Sequence, residues 1–409
     1  MGKQTINYLI LKVASRCNIN CTYCYMYNKG DGTFKSQPKF MSTDVVNNVL
    51  TKTLSHCTEN NLRWFHFAFH GGEPLLASKD FYSEFITKCN SLFLPCGVQP
   101  IYSLQTNGIL ISDEWCDLFR ALKIHVSISM DGDKKTHDQY RLDFSGKGTY
   151  DRVLAGVRTL QRQFSDQKSY HINLLSVINI DSDPIDQYEH FQKLGGISYI
   201  DFLFPDSNYE YPNLNGKSET PIADYLIPIF NRWFREKEST IRIRLFQAFV
   251  ASIIGSDNVS TDSYGSLENN ILVIETDGSI ESVDVLKICG HGFTKNNYNI
   301  TRNNLEDALN EPLIDLYYYS HINLCDQCQK CPLSTICGGG YLPHRYSKSN
   351  GFDNPSVYCK DLAKLICHIQ NEVLNEFSDD IVELTSVMNL DWGELNNYVS
   401  KHNIPQAVS

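Results

Sequence analysis

Between residue 6 and about residue 240, short apolar runs rich in β-branched residues alternate with stretches of helical periodicity, and this alternation restricts the chain to an α/β fold built on a parallel sheet. Parallel neighbours cannot be joined by tight turns, so a helix must lie in each crossover. Strands are expected at Ile6 to Val13, Trp64 to Phe69, Ile101 to Gln105, His125 to Met130, Ile172 to Ile178 and Tyr199 to Phe204. Ser42 and Thr43 can cap the helix that carries Val45, Val46, Val49 and Leu50. Pro184 opens another, with Ile185, Tyr188, Phe191 and Leu194 on one face, which stops at Gly195 and Gly196. Six βα units make a partial barrel, open on one side, over residues 1–240.

After the sixth strand comes Asp206 to Thr220, rich in Asn, Tyr, Pro and Gly, at the end of a barrel where functional loops lie; it is expected to border the substrate. A helical region runs on to about Ile254, and a strand pair flanks the Asp277-Gly278 turn. A cysteine-rich stretch, Cys325 to Cys359, completes a second domain over 241–359. The segment 360–409 reads as helical, with apolar positions at Ile366, Ile369, Val373 and Phe377 that are expected to cover the core.

Composition excludes several functions. The 409 residues are 42% hydrophobic and 20% charged, enough for a large packed core. A formal charge of −11 with no long Lys/Arg run argues against a nucleic-acid partner, because a phosphate backbone needs a concentrated basic surface. The first apolar run meets Lys12 and Ser15 too early for a signal peptide or a membrane span, so a cytoplasmic protein is expected. Only about five residues precede the first strand, so no N-terminal peptide-recognition domain of the winged-helix type is expected. Fourteen cysteines would suggest disulfides in a small secreted protein, but in a large chain without an export signal their close spacing points to metal ligation. Cys57, Cys89, Cys96, Cys116 and Cys367 stand apart from the others and read as small hydrophobes.

Cys17-Asn-Ile-Asn-Cys21-Thr-Tyr-Cys24 places three thiolates within eight residues, directly after the first strand. Three ligands for a four-iron cube leave one iron open to a small molecule, whereas a cluster serving only electron transfer takes four cysteines. Zinc is the alternative, and it would want a fourth Cys or His nearby. In this spacing and place the motif resembles the signature of the radical S-adenosylmethionine (SAM) superfamily. That resemblance implies a [4Fe-4S] cluster on Cys17, Cys21 and Cys24 that cleaves SAM to methionine and a 5′-deoxyadenosyl radical. Other motifs fall in register behind it. His70-Gly71-Gly72-Glu73-Pro74 is similar to the loop by which family members hold the methionine amino group. Gln105-Thr106-Asn107-Gly108 and Ser127-Ile-Ser129-Met-Asp131-Gly132 match the loops that contact the ribose and methionyl groups, which implies roles for Gln105, Asn107, Ser129 and Asp131. Arg141 matches a residue that pairs with the SAM carboxylate, a task suited to a guanidinium fork, and Tyr23 is placed to pack on the adenine. Singly, each Gly-Gly, Asn-Gly or Asp-Gly is first of all a turn former.

Cys325-x-x-Cys328-x-x-Cys331-x5-Cys337-Gly-Gly-Gly-Tyr341, closed by Cys359, resembles the SPASM extension of peptide-modifying radical SAM enzymes, which carries auxiliary [4Fe-4S] clusters. Matching that pattern gives Cys328, Cys331, Cys337 and Cys359 as one four-thiolate set, hence at least one auxiliary cluster, with Cys325 as a spare thiol or a replacement for one of the four. Tyr341 and Val283 stand where further cysteines are expected, which places a second auxiliary cluster in doubt, although Cys289 is also spare. A structural zinc knot is the alternative, since C-x-x-C pairs serve zinc as well.

Leu203-Phe-Pro-Asp206, Asp277-Gly-Ser-Ile-Glu-Ser-Val-Asp284, Cys337-Gly-Gly-Gly-Tyr-Leu-Pro-His-Arg-Tyr346 and Asn354-Pro-Ser-Val-Tyr-Cys359 look like segments of the cyclophane-forming maturases of ribosomally made peptides. The resemblance implies a carbon–carbon cross-link between an aromatic ring and the β-carbon of a nearby residue in a precursor peptide. It also implies an external one-electron reductant of the flavodoxin or ferredoxin type. The ring must then lose a proton to a base within hydrogen-bond reach, and Asp206 is the candidate, against an ordinary Asx turn. Other peptide chemistry of the same extension (thioether formation, epimerisation, sulfatase maturation), a small-molecule dehydrogenase and an iron–sulfur redox sensor are the alternatives.

Overall fold

A computed structural model describes residues 4–166, 170–212, 218–236, 241–256, 261–377 and 387–401. Positions 213–217 of the Asp206 to Thr220 stretch, and 378–386 and 402–409 of the C-terminal segment, lie outside the described residues. The expected α/β class and six-fold alternation are present. The strands are β1 (Tyr8–Ala14), β2 (Trp64–Gly71), β3 (Gln99–Thr106), β4 (Ile124–Ser129), β5 (Ile172–Val177) and β6 (Ile197–Leu203). Between them lie α1 (Thr43–Glu59), α2 (Lys79–Phe93), α3 (Asp113–Leu122), α4 (Lys134–Tyr140), α5 (Tyr150–Gln163) and α6 (Pro184–Leu194). The helix starts follow from capping chemistry: Ser42 Oγ accepts the Val45 N–H, and Asp183 accepts those of Ile185 and Asp186 with Pro184 in the first turn.

By packing, the chain forms two compact units. One comprises Met1–Ser176, Gly196–Ser198 and Asn270–Tyr318; the other comprises Val177–Gly195, Tyr199–Asn269 and Tyr319–Ser409. The units interleave along the chain. In the first unit β1 to β4 pair in parallel, and β8 (Ile271–Ile274) adds to the free side of β1 in parallel register, with Tyr8 opposite Ile271 and Leu11 opposite Ile274. The Asp277-Gly278 turn then returns the chain through β9 (Ile280–Glu281), antiparallel to β8. Side chains alternate along each strand. Leu9, Leu11 and Val13 of β1 and Phe65, Phe67 and Phe69 of β2 are fully buried, and Phe67 and Phe69 meet Phe85 of α2 edge-on at 5.5 and 5.2 Å. Each such ring contributes about 1.5–3 kcal/mol by leaving water. The opposite parity carries polar groups: Lys12, His70, Gln105, Ser127 and Ser129.

In the second unit β6 pairs in parallel with the short β7 (Arg242–Ile243). The expected helical region is two helices, Pro221–Arg235 and Arg244–Ile253, with Phe230 and Phe246 edge to face at 5.3 Å. Asp361, near the start of a helix over Cys359–Asn375, accepts the N–H groups of Ile222 and Ala223 at 2.7 and 3.0 Å. Ile366, Ile369 and Val373 are buried as expected, while Phe377 remains 39% exposed. Among the described residues no helix is long and apolar enough to cross a membrane.

Candidate SAM and iron–sulfur sites

In the first unit the chain leaves β1 into the loop carrying Cys17, Cys21 and Cys24, and this loop is clamped on two sides. Gly72 N–H donates to Ala14 O at 2.8 Å and Glu73 N–H to Arg16 O at 2.9 Å, drawing the loop after β2 against it. The approach is so close that a Cβ at Gly71 would fall 2.2 Å from Ala14 O, and one at Gly72 would fall 2.0 Å from the Tyr27 hydroxyl. Only glycine fits at either position, and Gly71 also has φ +140°. On the other side, Asn20 N–H donates to Leu142 O and Thr22 N–H to Tyr140 O, at 2.7 and 2.9 Å.

The three thiols are the candidate ligands. The N–H groups of Tyr27 and Asn28 donate to Cys24 O at 3.3 and 2.8 Å, closing the turn that carries Cys24. Burial pushes the free thiols of Cys17 and Cys24 up to about 12 and raises Cys21, so a bound cation must supply the charge that keeps them deprotonated. All fourteen cysteines are free of disulfides. Among the described residues, no three His, Cys, Asp or Glu side chains converge closely enough to hold one metal ion, here or at the C-terminal cysteines.

Glu73 is fully buried and joins two loops, accepting Leu75 N–H, Thr106 Oγ1–H and Asn107 N–H at 3.0, 2.7 and 2.8 Å. Asn107 in turn donates to Asn18 Oδ1 at 2.7 Å and approaches Cys17 Sγ at 3.8 Å. Gln105 and Ser129 are linked side chain to side chain at 2.8 Å. Tyr23 donates to Asp131 at 2.5 Å and accepts from Arg141 Nη1 at 2.7 Å, so its hydroxyl is tied into a charged network. Arg141 is 6% exposed, and its Nε–H is buried without a hydrogen-bond partner. An orphaned guanidinium N–H in a fold that satisfies nearly all others marks a place for an acceptor that arrives with a ligand.

A second buried network on the same unit has no local signal in the sequence. Lys12 of β1, fully buried, is ion-paired to Asp284 and lies 2.8 Å from His70 Nδ1, and Tyr25 of the cysteine loop donates to Asp284 at 2.5 Å. Burial opposes ionisation of Asp284, but Lys12, His70 and Tyr25 hold its carboxyl well below the usual range. Burial, then Lys12, brings His70 down to about 3, so it is neutral.

In the second unit five thiols gather. Cys328 lies within electrostatic reach of Cys325, Cys337 and Cys359, and Cys359 within reach of Cys331 as well. Cys325 lies within electrostatic reach of Cys328 and Cys359 and so belongs with the group. Cys289 belongs to the first unit, and its thiol is raised by burial alone. Asp206 is half-buried after β6; burial, then the Asp206 carboxylate, raises the Tyr358 hydroxyl, and Tyr358 precedes Cys359 and donates to Pro205 O at 2.7 Å.

The radical SAM superfamily model matches residues 11–186, which hold the cysteine loop, the glycine loop and Arg141. Residues 11–186 are a radical SAM domain. It is 27% identical over 375 residues to a cysteine-type anaerobic sulfatase-maturating enzyme of Clostridium novyi, covering 87% of this chain and 93% of that one. It is 25% identical over 394 residues to a serine-type anaerobic sulfatase-maturating enzyme of Bacteroides thetaiotaomicron, covering 88% and 89%. The solved structure of native anSMEcpe with bound AdoMet superposes with a TM-score of 0.75 at 22% identity, over 90% of this chain and 98% of that one. Streptococcus suis SuiB bound to its precursor peptide SuiA gives 0.56 at 15%, over 87% and 76%. The fold is therefore the partial barrel followed by a cysteine-rich extension. Tyr341 and Val283, where further cysteines were expected, fill their places with packing: Tyr341 meets His344 edge-on at 5.4 Å, and Val283 is buried.

Proposed function

We propose that this protein modifies a ribosomally made precursor peptide, joining an aromatic ring carbon to the β-carbon of a nearby residue. Bound together, SAM and the [4Fe-4S] cluster supply one-electron chemistry able to remove hydrogen from an unactivated C–H bond. Cys17, Cys21 and Cys24 hold that cluster. The Arg141 Nε–H receives the SAM carboxylate, with Tyr23 and Asp131 fixing the guanidinium. Gly71, Gly72 and Glu73 shape the methionyl side, and Gln105, Asn107 and Ser129 present polar groups from neighbouring strand ends. Cys328, Cys331, Cys337 and Cys359, with Cys325 beside them, hold an auxiliary [4Fe-4S] cluster. An external one-electron donor of the flavodoxin or ferredoxin type supplies the reducing electron.

One observation carries the cross-linking reading: Asp206 neighbours Tyr358, the residue before Cys359. After a carbon radical adds to an arene, the ring must lose one proton and one electron. A carboxylate base beside an electron-accepting cluster meets both needs.

A second reading, oxidation of a Cys or Ser side chain, is favoured by the activities named for the relatives in Clostridium novyi and Bacteroides thetaiotaomicron. The deciding experiment incubates reduced enzyme and SAM with two peptides, one carrying an aromatic-x-x motif and one a sulfatase-type Cys or Ser segment. Cross-linking predicts a product lighter by two hydrogens that resists fragmentation between the joined residues and does not react with a hydrazide. A hydrazide-reactive aldehyde from the second peptide, with the first unchanged, overturns the cross-linking reading.

A further inference from the structure

Gly338, Gly339 and Gly340 follow Cys337 with φ of +57°, +74° and +71°, three successive left-handed residues. Side chains are barred there by space as well as by conformation. A Cβ at Gly338 would lie 1.9 Å from Gly265 O, and one at Gly339 would lie 2.8 Å from the Arg345 guanidinium carbon. This winding turns the three carbonyls onto Arg345, while the Gly340 N–H donates back to Cys337 O at 2.9 Å. Arg345 Nε donates to Gly339 O at 3.0 Å, Nη2 to Gly338 O and Gly340 O at 2.6 Å each, and Nη1 to Ser320 O at 2.7 Å.

Arg345 is 2% exposed, and among the described residues no carboxylate pairs with it. Carbonyl dipoles satisfy its hydrogens but leave its charge unbalanced, and a buried ion without a counter-charge is strongly disfavoured. Two histidines also face it, His321 and His344, and burial keeps both below the ordinary imidazole range. The charges within reach are the sulfurs of Cys328, Cys337 and Cys325.

We propose that Arg345 is the built-in counter-charge of the C-terminal thiolate set, raising the reduction potential of the cluster held there so that it can accept an electron. The inference rests on Cys328, Cys331, Cys337 and Cys359 being cluster ligands. A four-thiolate cube gains one negative charge on reduction, so a fixed cation beside it favours the reduced form. The electron comes from the substrate radical and the accompanying proton goes to a base. The reduced cluster then passes its electron to a one-electron acceptor of the ferredoxin or flavodoxin class. Arg345 is thus a positioning residue, acting through the cluster and never on substrate.

The test is a potentiometric titration, followed by electron paramagnetic resonance, of the reconstituted full chain carrying Cys17→Ala, Cys21→Ala and Cys24→Ala, so that only the C-terminal cluster reports. Arg345→Gln should weaken electron affinity at least tenfold, about 59 mV for a one-electron couple, with iron content unchanged. Arg345→Lys, which keeps the charge, should shift by less than half as much. An unmoved potential in the glutamine variant, or an equal fall in the lysine variant, overturns the proposal. If the glutamine variant loses iron, the lysine variant decides by the same criterion. Loss of iron from both, with circular dichroism unchanged, makes Arg345 purely structural and also overturns it. Absence of iron from the parent triple variant instead refutes the cluster assignment itself, and is read before any potential is measured.

Discussion

His137 makes the SAM-side loop dependent on pH in a direction that can be worked out from its hydrogen bonds. It is fully buried, its Nδ1 accepts the Asp131 N–H at 3.3 Å, and Nε2 donates to Thr149 Oγ1 at 3.0 Å. Thr149 donates onward to Arg141 O at 2.7 Å. A backbone N–H can only donate, so Nδ1 must stay unprotonated, and the ring is neutral. Burial, then the charges of Arg141 and Lys134, bring its pKa down to about 2, against about 6.5 in an unfolded chain. Between these values the unfolded state binds a proton that the native state refuses. The stabilisation is therefore complete above pH 6.5 and is lost as pH falls, by about 1.4 kcal/mol between pH 7.5 and 5.5. Urea unfolding of the metal-free protein at both pH values, in wild type and His137→Asn, isolates this contribution. His66 and His70, held near 4 and 3, behave alike in both proteins and cancel in the difference. The variant should lose about 1.4 kcal/mol less than wild type over that interval, although it starts about 1–2 kcal/mol less stable for want of the Thr149 bond. Equal losses in the two proteins would refute the reasoning.

Three further outcomes follow from the same geometry. Gly72→Ala drives a methyl group into the Tyr27 hydroxyl and the Arg16 backbone, and should cost about 3 kcal/mol or more in denaturant unfolding and lower the iron content on reconstitution. Arg141→Lys keeps the charge but loses the unpartnered Nε–H, so calorimetry should show SAM affinity reduced about tenfold or more; an unchanged Kd would show that Nε is not the contact. Lys12→Met leaves Asp284 charged and buried without its cation, which should destabilise the chain by about 3–5 kcal/mol at pH 7 and by less once the carboxyl is protonated in acid.

Local features were legible and distant ones were not. The six barrel strands begin and end within about two residues of the apolar runs that announced them, because alternation and flanking turn residues act over a few positions. Ser42 and Pro184 mark helix starts for the same reason. The Asp277-Gly278 turn announces an antiparallel pair, but nothing near Ile271 indicates that its strand lies against β1, whose paired residues lie 263 positions earlier. Lys12 interrupts an apolar run and was read only as excluding a membrane span; its partner Asp284 is 272 residues away. Tyr23 was expected to offer its ring to adenine, and what the fold fixes is its hydroxyl, between Asp131 and Arg141. The Gly338 to Gly340 run identified the extension by resemblance, yet its purpose appears only when Arg345 is seen folded back onto its carbonyls.

The strand at Ile271–Ile274 also decides how this protein can be cut or recombined. With β2 on one side of β1 and β8 on the other, a fragment ending near residue 240 would leave a row of β1 backbone donors and acceptors open to water along Tyr8 to Leu11. Such an edge invites pairing with another chain. Chimaeras that exchange the barrel between relatives must therefore carry the Asn270–Tyr318 segment along with the N-terminal piece, and a truncation that ignores it should yield aggregates where an excised barrel was intended.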